Sequence, residues 1–343
     1  MKGANKGDWS EIYVFFKILL DRLIPIANEK LESTNKHLTF DKIIRTEDQR
    51  ALEYLLSGHP KIVILDKDTP LKEIIMDDKI RANIKVIFNK ICASTGRSFE
   101  IPEARELMNL FLCTKIKAKS SKKSDIDAVI FDPSFEKDET GFSIKSGIGS
   151  ASTLLNASRV TNFIYKLSGL SLDSIDEINN LESARKRVAF IVSKGTQLKL
   201  DGLNDTFKEN LKKVDSNFPN ILSDMLVRFY SSKKISTLNE ITSLLQGEND
   251  YEIVVKRFLN YIALGMVPSK RWDDKDKANG GYLIVKKDGQ IVCYNPHNRN
   301  SFESYLFKNT KFDTGDSKRN DYGKIYIDKG EPFIKLNLQV RFK

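Results

Sequence analysis

Two stretches, Lys122 to Asp132 and Gly141 to Ser146, constrain this 343-residue chain more than any others. In each, β-branched and aromatic residues alternate with polar ones, and Pro133 or a glycine punctuates the end, which is the signature of a short strand. On the second strand Phe142 and Ile144 share one face, while Ser143 and Lys145 share the other. The apolar pair can face a core and leave the lysine in the open. Asp125 and Asp127 likewise share a face, and Asp125 stands 20 positions before Lys145.

An acid at the start of one strand and a lysine on the next is an arrangement suited to metal-dependent phosphodiester hydrolysis. That reaction needs a hard cation against a phosphate oxygen, an activated water, and stabilisation of a highly negative transition state. Asp125 is then the expected Mg²⁺ ligand, with Asp127 a further carboxylate on the same face. Lys145 is the group that positions the attacking water or offsets the developing charge. The spacing alone is also that of solvated strand-start acids and a surface lysine.

Charge supports a polyanionic partner. The formal net charge is +10. Lys115, Lys117, Lys119, Lys122 and Lys123 fall directly before Asp125, and no acidic residue occurs from Thr140 through Leu172. Nucleic acid is the commonest partner of such a surface, because neutralising phosphates releases counterions. The three cysteines, Cys92, Cys113 and Cys293, and the three histidines, His37, His59 and His297, are scattered. Zinc, a disulfide framework and histidine-based general-base chemistry are not expected. The start of the chain reads as no signal peptide and no apolar run could span a bilayer, so a cytoplasmic protein with no membrane partner is expected.

In chain order, Asp8-Trp9-Ser10-Glu11 precedes an apolar run that predicts a buried helix with Asp8 as its cap. Glu11 then falls at the capping-box position, and it could also deliver a second carboxylate to the metal. Residues 28–113 read as mostly helical, with Lys61 to Leu65 a strand and Pro102 opening a helix. After the lead at Ser146 a helix is predicted from Ser150 or Ser152, with Leu154, Ala157, Val160 and Ile164 as its apolar stripe. Ser146, Ser152, Thr153, Asn156 and Arg159 are the residues expected to contact DNA there. Residues 170–264 read as helical. An Asp-Gly turn at Asp288-Gly289 marks a hairpin over 281–294. The basic tail closes in a strict alternation whose polar face includes Asn337, Gln339 and Arg341, side-chain types that can read base edges in a groove.

Several blocks in one order carry a resemblance. Trp9-Ser10-Glu11, Lys123-Ser124-Asp125-Ile126, Gly141-Phe142-Ser143-Ile144-Lys145-Ser146, Thr153-Leu154-Leu155-Asn156-Ala157, Thr161-Asn162-Phe163, Asn309-Thr310-Lys311-Phe312 and Leu336 to Phe342 together resemble the HpaII-type family of type II restriction endonucleases, end to end.

The resemblance implies an α/β PD-(D/E)XK core, a mixed central sheet flanked by helices, that cuts both strands of a short DNA sequence with Mg²⁺. Asp125 matches the motif's first acid and Lys145 its lysine. Ser143 departs from the motif, which has Asp or Glu there, and Glu11 is the replacement carboxylate. The family's founding member recognises CCGG, a target that one resemblance does not transfer. A palindromic site would suit a homodimer, and a cognate DNA methyltransferase would protect the host. The expected organisation is a nuclease core over 1–169, a helical region over 170–264 and a basic, β-rich part over 265–343. The other readings are a repair or structure-selective nuclease and a non-catalytic DNA-binding protein.

Overall fold

The computed structural model describes residues 3–48, 50–118, 124–131, 139–149, 151–232, 234–245, 250–273, 275–276, 278–294 and 299–343. Lys119, Lys122, Lys123 and His297 therefore lie outside the described residues. The chain divides into two compact units, one of Met1–Ser152 with Asp276–Tyr305 and one of Thr153–Lys275 with Leu306–Lys343. The expected boundaries at 169 and 264 fall inside the second unit, and the basic tail is shared between the two.

The first unit opens on α1 (Lys6–Asp21), which buries Trp9, Ile12, Val14, Phe15, Phe16, Ile18 and Leu19 completely. A helix that is apolar almost all round belongs in a core. Its cap is Asn5, whose side chain accepts from Asp8 N at 3.0 Å. The helix thus starts earlier than expected: Asp8 sits in its first turn, and Glu11 is no capping-box residue.

Five strands follow, β1 (Leu23–Ala27), β2 (Ser33–Glu47), β3 (Arg50–Leu55), β4 (Lys61–Leu65) and β5 (Lys72–Ile75). This corrects the mostly helical reading of 28–113, in which only α2 (Asp78–Ala93) and α3 (Pro102–Leu110) are long helices. The strand at Lys61–Leu65 and the helix opening at Pro102 stand as expected. Next come β6 (Ile126–Phe131) and β7 (Glu139–Ser146), paired antiparallel with Ile126 opposite Phe142.

The second unit begins with β8 (Thr153–Leu155), a 3₁₀ turn over Arg159–Thr161 and β9 (Asn162–Ser168). The helix expected from 150 or 152 is replaced by these elements. Ser158 caps the 3₁₀ turn with Thr161, and Phe163, Tyr165 and Leu167 are buried alternately on one face of β9, so a period of two wins over the apparent helical stripe. Then come α4 (Ile175–Asn179), α5 (Ala184–Ser193), β10 (Gln197–Leu203), α6 (Asp205–Val214), α7 (Phe218–Ser231), α8 (Leu238–Ser243) and α9 (Tyr251–Leu264). The region expected to be helical is largely so, with β10 inserted.

The hairpin β11 (Gly281–Val285) and β12 (Ile291–Tyr294) returns to the first unit. Its turn is the predicted Asp-Gly: Gly289 has φ +84°, and a Cβ there would stand 3.1 Å from the Phe88 ring. β11 lies parallel to β7 and antiparallel to β12, so the sheet is mixed. Because β1 pairs with both β12 and β2, six strands in the order β1, β12, β11, β7, β6, β2 close into a ring, with β3 to β5 extending from β2. The fold is mixed α/β, and β7 stands between β6 and β11.

The chain ends with α10 (Arg299–Asn309), β13 (Thr310–Phe312), α11 (Ser317–Asn320), β14 (Ile325–Asp328), β15 (Glu331–Asn337) and β16 (Val340–Phe342). In place of one continuous terminal strand, β15 joins β14, β9 and β10 while β16 joins β13 and β8. The break falls at Asn337-Leu338, where Leu336, Asn337 and Leu338 are buried in succession and the alternation fails. Among the described residues no helix is long and apolar enough to cross a membrane.

Candidate active site

Asp125 is placed by the β6–β7 ladder. Its backbone N–H donates to Phe142 O at 2.8 Å, one step beyond the Ile126–Phe142 pair. The carboxylate then folds back over β7, where Oδ2 accepts from Ile144 N at 2.7 Å and from Ser143 Oγ at 3.0 Å. Two steps along β7, Lys145 Nζ donates to Ser143 Oγ at 3.0 Å. Ser143 is thus a buried bridge between the acid and the lysine. A hydroxyl can donate to one and accept from the other, which a carboxylate at this position could not do.

The ammonium of Lys145 also lies 5.2 Å from the centroid of the Tyr282 ring, a cation–π distance. Tyr282 is fully buried on β11 directly opposite Ser143. Burial holds Lys145 below the usual ammonium range, with Lys117 adding to the effect, while Asp125 and Glu11 work against it. A lysine so placed is more readily deprotonated than one in water.

Glu11 arrives from α1. Its pKa is raised to about 7, first because the carboxylate is buried and second because the charge of Asp125 is close; Lys117 pulls it back. Lys117 Nζ lies 3.2 Å from Asp8 Oδ1 and 3.3 Å from Glu11 Oε1. The segment carrying Lys117 is pinned from below: buried Arg45 pairs with Glu47 at 2.6 Å and donates to the carbonyls of Lys115 and Ile116, and Glu47 accepts from Thr114 N and Oγ1. For Lys117 itself burial works to lower the pKa, but the Glu11 and Asp8 carboxylates outweigh it and the net direction is up.

Other expected residues are placed differently. Asp127 turns to Ser124, whose Oγ donates to it at 2.8 Å. Lys115 is ion-paired with Asp48 at the surface. Ser146 Oγ accepts from Ile148 N and lies 2.9 Å from Ser10 Oγ, tying β7 to α1. In the second unit Asn156 and Arg159 are exposed, and Thr153 pairs with Arg341 across β8 and β16. Arg341 is ion-paired with Asp313 at 2.9 Å, and Gln339 is partly exposed.

Asn337 does not present an edge to solvent. It is 1% exposed, and its Nδ2 lies 2.7 Å from Ser158 O, 2.6 Å from Asn162 Oδ1 and 3.2 Å from Thr161 Oγ1. Its amide therefore holds the second unit together, and Asn337→Ala is expected to destabilise the protein by about 2–3 kcal/mol through the acceptors left unsatisfied. Denaturant unfolding checks this, and a loss under about 0.5 kcal/mol, the range of an ordinary surface change, would contradict the assignment.

Two members of the constellation escape a reading of the sequence. Tyr282 has no local signal, since it follows Lys145 by more than a hundred residues and meets it only through the parallel β7–β11 pairing. Lys117 is legible as a basic residue but not as the partner of Glu11.

The head of β6 and β7 thus bring an acid and a lysine together through Ser143, with a second carboxylate from α1 close enough for Asp125 to act on it. The family model for the HpaII restriction endonuclease matches residues 5–342. The chain is 37% identical to the type II restriction enzyme HpaII of Haemophilus parainfluenzae, over 99% of this chain and 98% of that one. No solved structure matches. The chain belongs to the HpaII restriction endonuclease family. It is a type II restriction endonuclease, a site-specific deoxyribonuclease acting on DNA, which sets aside the repair-nuclease and non-catalytic readings.

Proposed function

We infer that this enzyme cuts both strands of double-stranded DNA at a short sequence by Mg²⁺-dependent hydrolysis on a PD-(D/E)XK-type core, with Asp125, Glu11 and Lys145 as its working groups. The observation that carries this reading is the pair of carboxylates from α1 and the head of β6, close enough for Asp125 to raise Glu11, beside a desolvated lysine. Two repelling hard-oxygen groups with a neighbouring hydroxyl fit Mg²⁺, which takes one or two carboxylates and keeps several waters. Among the described residues no three His, Cys, Asp or Glu side chains cluster as a self-sufficient metal cage, which is consistent with a cation completed by water and substrate phosphate.

When bound, Mg²⁺ supplies Lewis-acid polarisation and a more acidic water. Asp125 is held rigid for its part by Ile144 N and Ser143 Oγ. Lys145, fixed by Ser143 and Tyr282, orients the attacking water and balances charge in the transition state. Ser143→Ala removes one hydrogen bond to each charged group, so single-turnover cleavage is expected to slow by about 10- to 100-fold. A wild-type rate would show that the bridge is dispensable.

The lysines that precede Asp125 in the sequence supply backbone contacts, and the exposed Asn156 and Arg159 supply groove contacts. A palindromic target favours two copies about a two-fold axis, and a companion methyltransferase would protect host sites in the cytoplasm. The test is digestion of unmethylated phage DNA with Mg²⁺ or EDTA, with fragment ends sequenced. Discrete metal-dependent fragments sharing one sequence are expected, CCGG being the first to look for. Cutting without a common sequence, or cutting in EDTA, would refute the reading.

A further inference from the structure

The first unit holds a polar cavity of about 640 Å³ at the end of β7, lined by Lys6, Arg97, Ser146 and Ser152 with Gly7 and Gly149 among the neighbours. Among the described residues no carboxylate lines it. Lys6 Nζ donates to Cys92 O at 3.1 Å, which fixes the ammonium and leaves it further N–H groups. Arg97 is exposed and has no hydrogen bond or ion pair among the described residues. Ser152 Oγ reaches only a long acceptor, Ser146 O at 3.4 Å, and is free to re-aim at a better one. Ser146 Oγ lies 2.9 Å from Ser10 Oγ and accepts from Ile148 N, which fixes it at the cavity wall. Gly149 has φ +97°, and a Cβ there would press on Lys6 Cδ at 3.1 Å, so a side chain at that position would crowd the lysine.

The cavity is tied to the cleavage site through both of its walls. Ser146 directly follows Lys145 on β7, and Lys6 precedes Glu11 by five residues on α1, about 7.5 Å of helix rise.

We propose that this cavity is a backbone-phosphate subsite, in which Lys6, Arg97 and the hydroxyls of Ser146 and Ser152 hold a DNA phosphodiester flanking the one that is cut. Cations and hydroxyls without a competing acid recognise a phosphate monoanion and read no base, so the subsite fixes register and not sequence. It rests on the active-site reading above. It also gives Ser146 and Ser152, expected as groove contacts, a phosphate role.

The test measures equilibrium binding of the full-length protein to a duplex containing its mapped site and to an unrelated duplex, in EDTA, from 50 to 200 mM NaCl. For the Lys6→Ala, Arg97→Ala double variant the slope of log K against log salt is expected to flatten by about 1, the one phosphate no longer neutralised, and equally on both duplexes. Arg97→Glu, a charge reversal on an exposed loop that leaves the core untouched, is expected to weaken both by at least about tenfold. An unchanged slope, or a weakening confined to the specific duplex, would overturn the phosphate subsite. Since binding is read without metal, continued cleavage by Asp125→Ala would overturn the catalytic reading and leave this slope unaffected.

Discussion

Replacing Asp125 with alanine is expected to lower the single-turnover cleavage rate by at least about 10³-fold, while duplex binding in EDTA stays within a few-fold of the parent. The magnitude follows from its position. Asp125 accepts from the backbone of β7 and from the bridging Ser143, and its charge acts on both Glu11 and Lys145. Without it Lys145 loses its principal counter-charge and Ser143 Oγ its acceptor. Lys145→Ala is expected to fall by about 10²- to 10⁴-fold for a different reason, the removal of the group that orients water and offsets charge. Parallel cleavage and binding assays separate these from folding defects. A general loss of DNA binding in either variant would mean that the residue serves structure.

The second large effect concerns Glu11, where stability and activity are expected to move in opposite directions. In the metal-free protein its pKa stands at about 7 against an ordinary value of 4.5, because of burial and then Asp125. A group whose folded-state pKa is raised binds more protons folded than unfolded, so its contribution to stability is greatest below about pH 4.5 and is lost as pH rises through about 7. The full span amounts to about 3 kcal/mol at most at one pKa unit per 1.36 kcal/mol. Glu11→Gln is expected to remove most of that loss, making the metal-free protein more stable at pH 8 than the parent and flattening its pH profile between 4.5 and 7. Cleavage at limiting Mg²⁺ should fall by about 10²-fold. Thermal melts across pH in EDTA, set beside rates, check both halves. A variant less stable than the parent at pH 8 would show that the Lys117 ion pair outweighs the cost of burying the charge.

What is legible in the sequence, and what is not, follows the reach of each physical signal. The β11–β12 hairpin is legible because its Asp-Gly turn is local chemistry. β6 and β7 are legible because each is a short run of β-branched and aromatic residues bounded by Pro133 or a glycine. β2 is not, and a bulge is the reason: its register shifts between Phe40 and Lys42, so Leu38 and Phe40 are buried in one phase and Ile43, Arg45 and Glu47 in the other. A reader looking for a period of two sees no strand there. In 150–164, apolar residues at helical spacing belong to two strands and a 3₁₀ turn, and only tertiary pairing with β15 and β16 decides between the two periods.

The candidate site divides in the same way. Asp125, Ser143 and Lys145 are readable together because their strands are neighbours in sequence and in space. Glu11 is suggested by the want of an acid at position 143, and α1 does carry it to the vicinity of Asp125, although Asn5 and not Asp8 caps that helix. Tyr282 and the Lys117–Glu11 pair depend on the parallel pairing of β11 and on the Arg45 anchor, neither of which leaves a local trace.

The most direct measurement is single-turnover cleavage of a duplex bearing the mapped site, titrated with Mg²⁺ for the parent, Glu11→Gln and Asp125→Ala. The geometry of the site predicts that Glu11→Gln needs at least about tenfold more Mg²⁺ and partly recovers, while Asp125→Ala stays inactive at every concentration. Parent-like cleavage by Asp125→Ala at ordinary Mg²⁺ would place the chemistry elsewhere on the molecule.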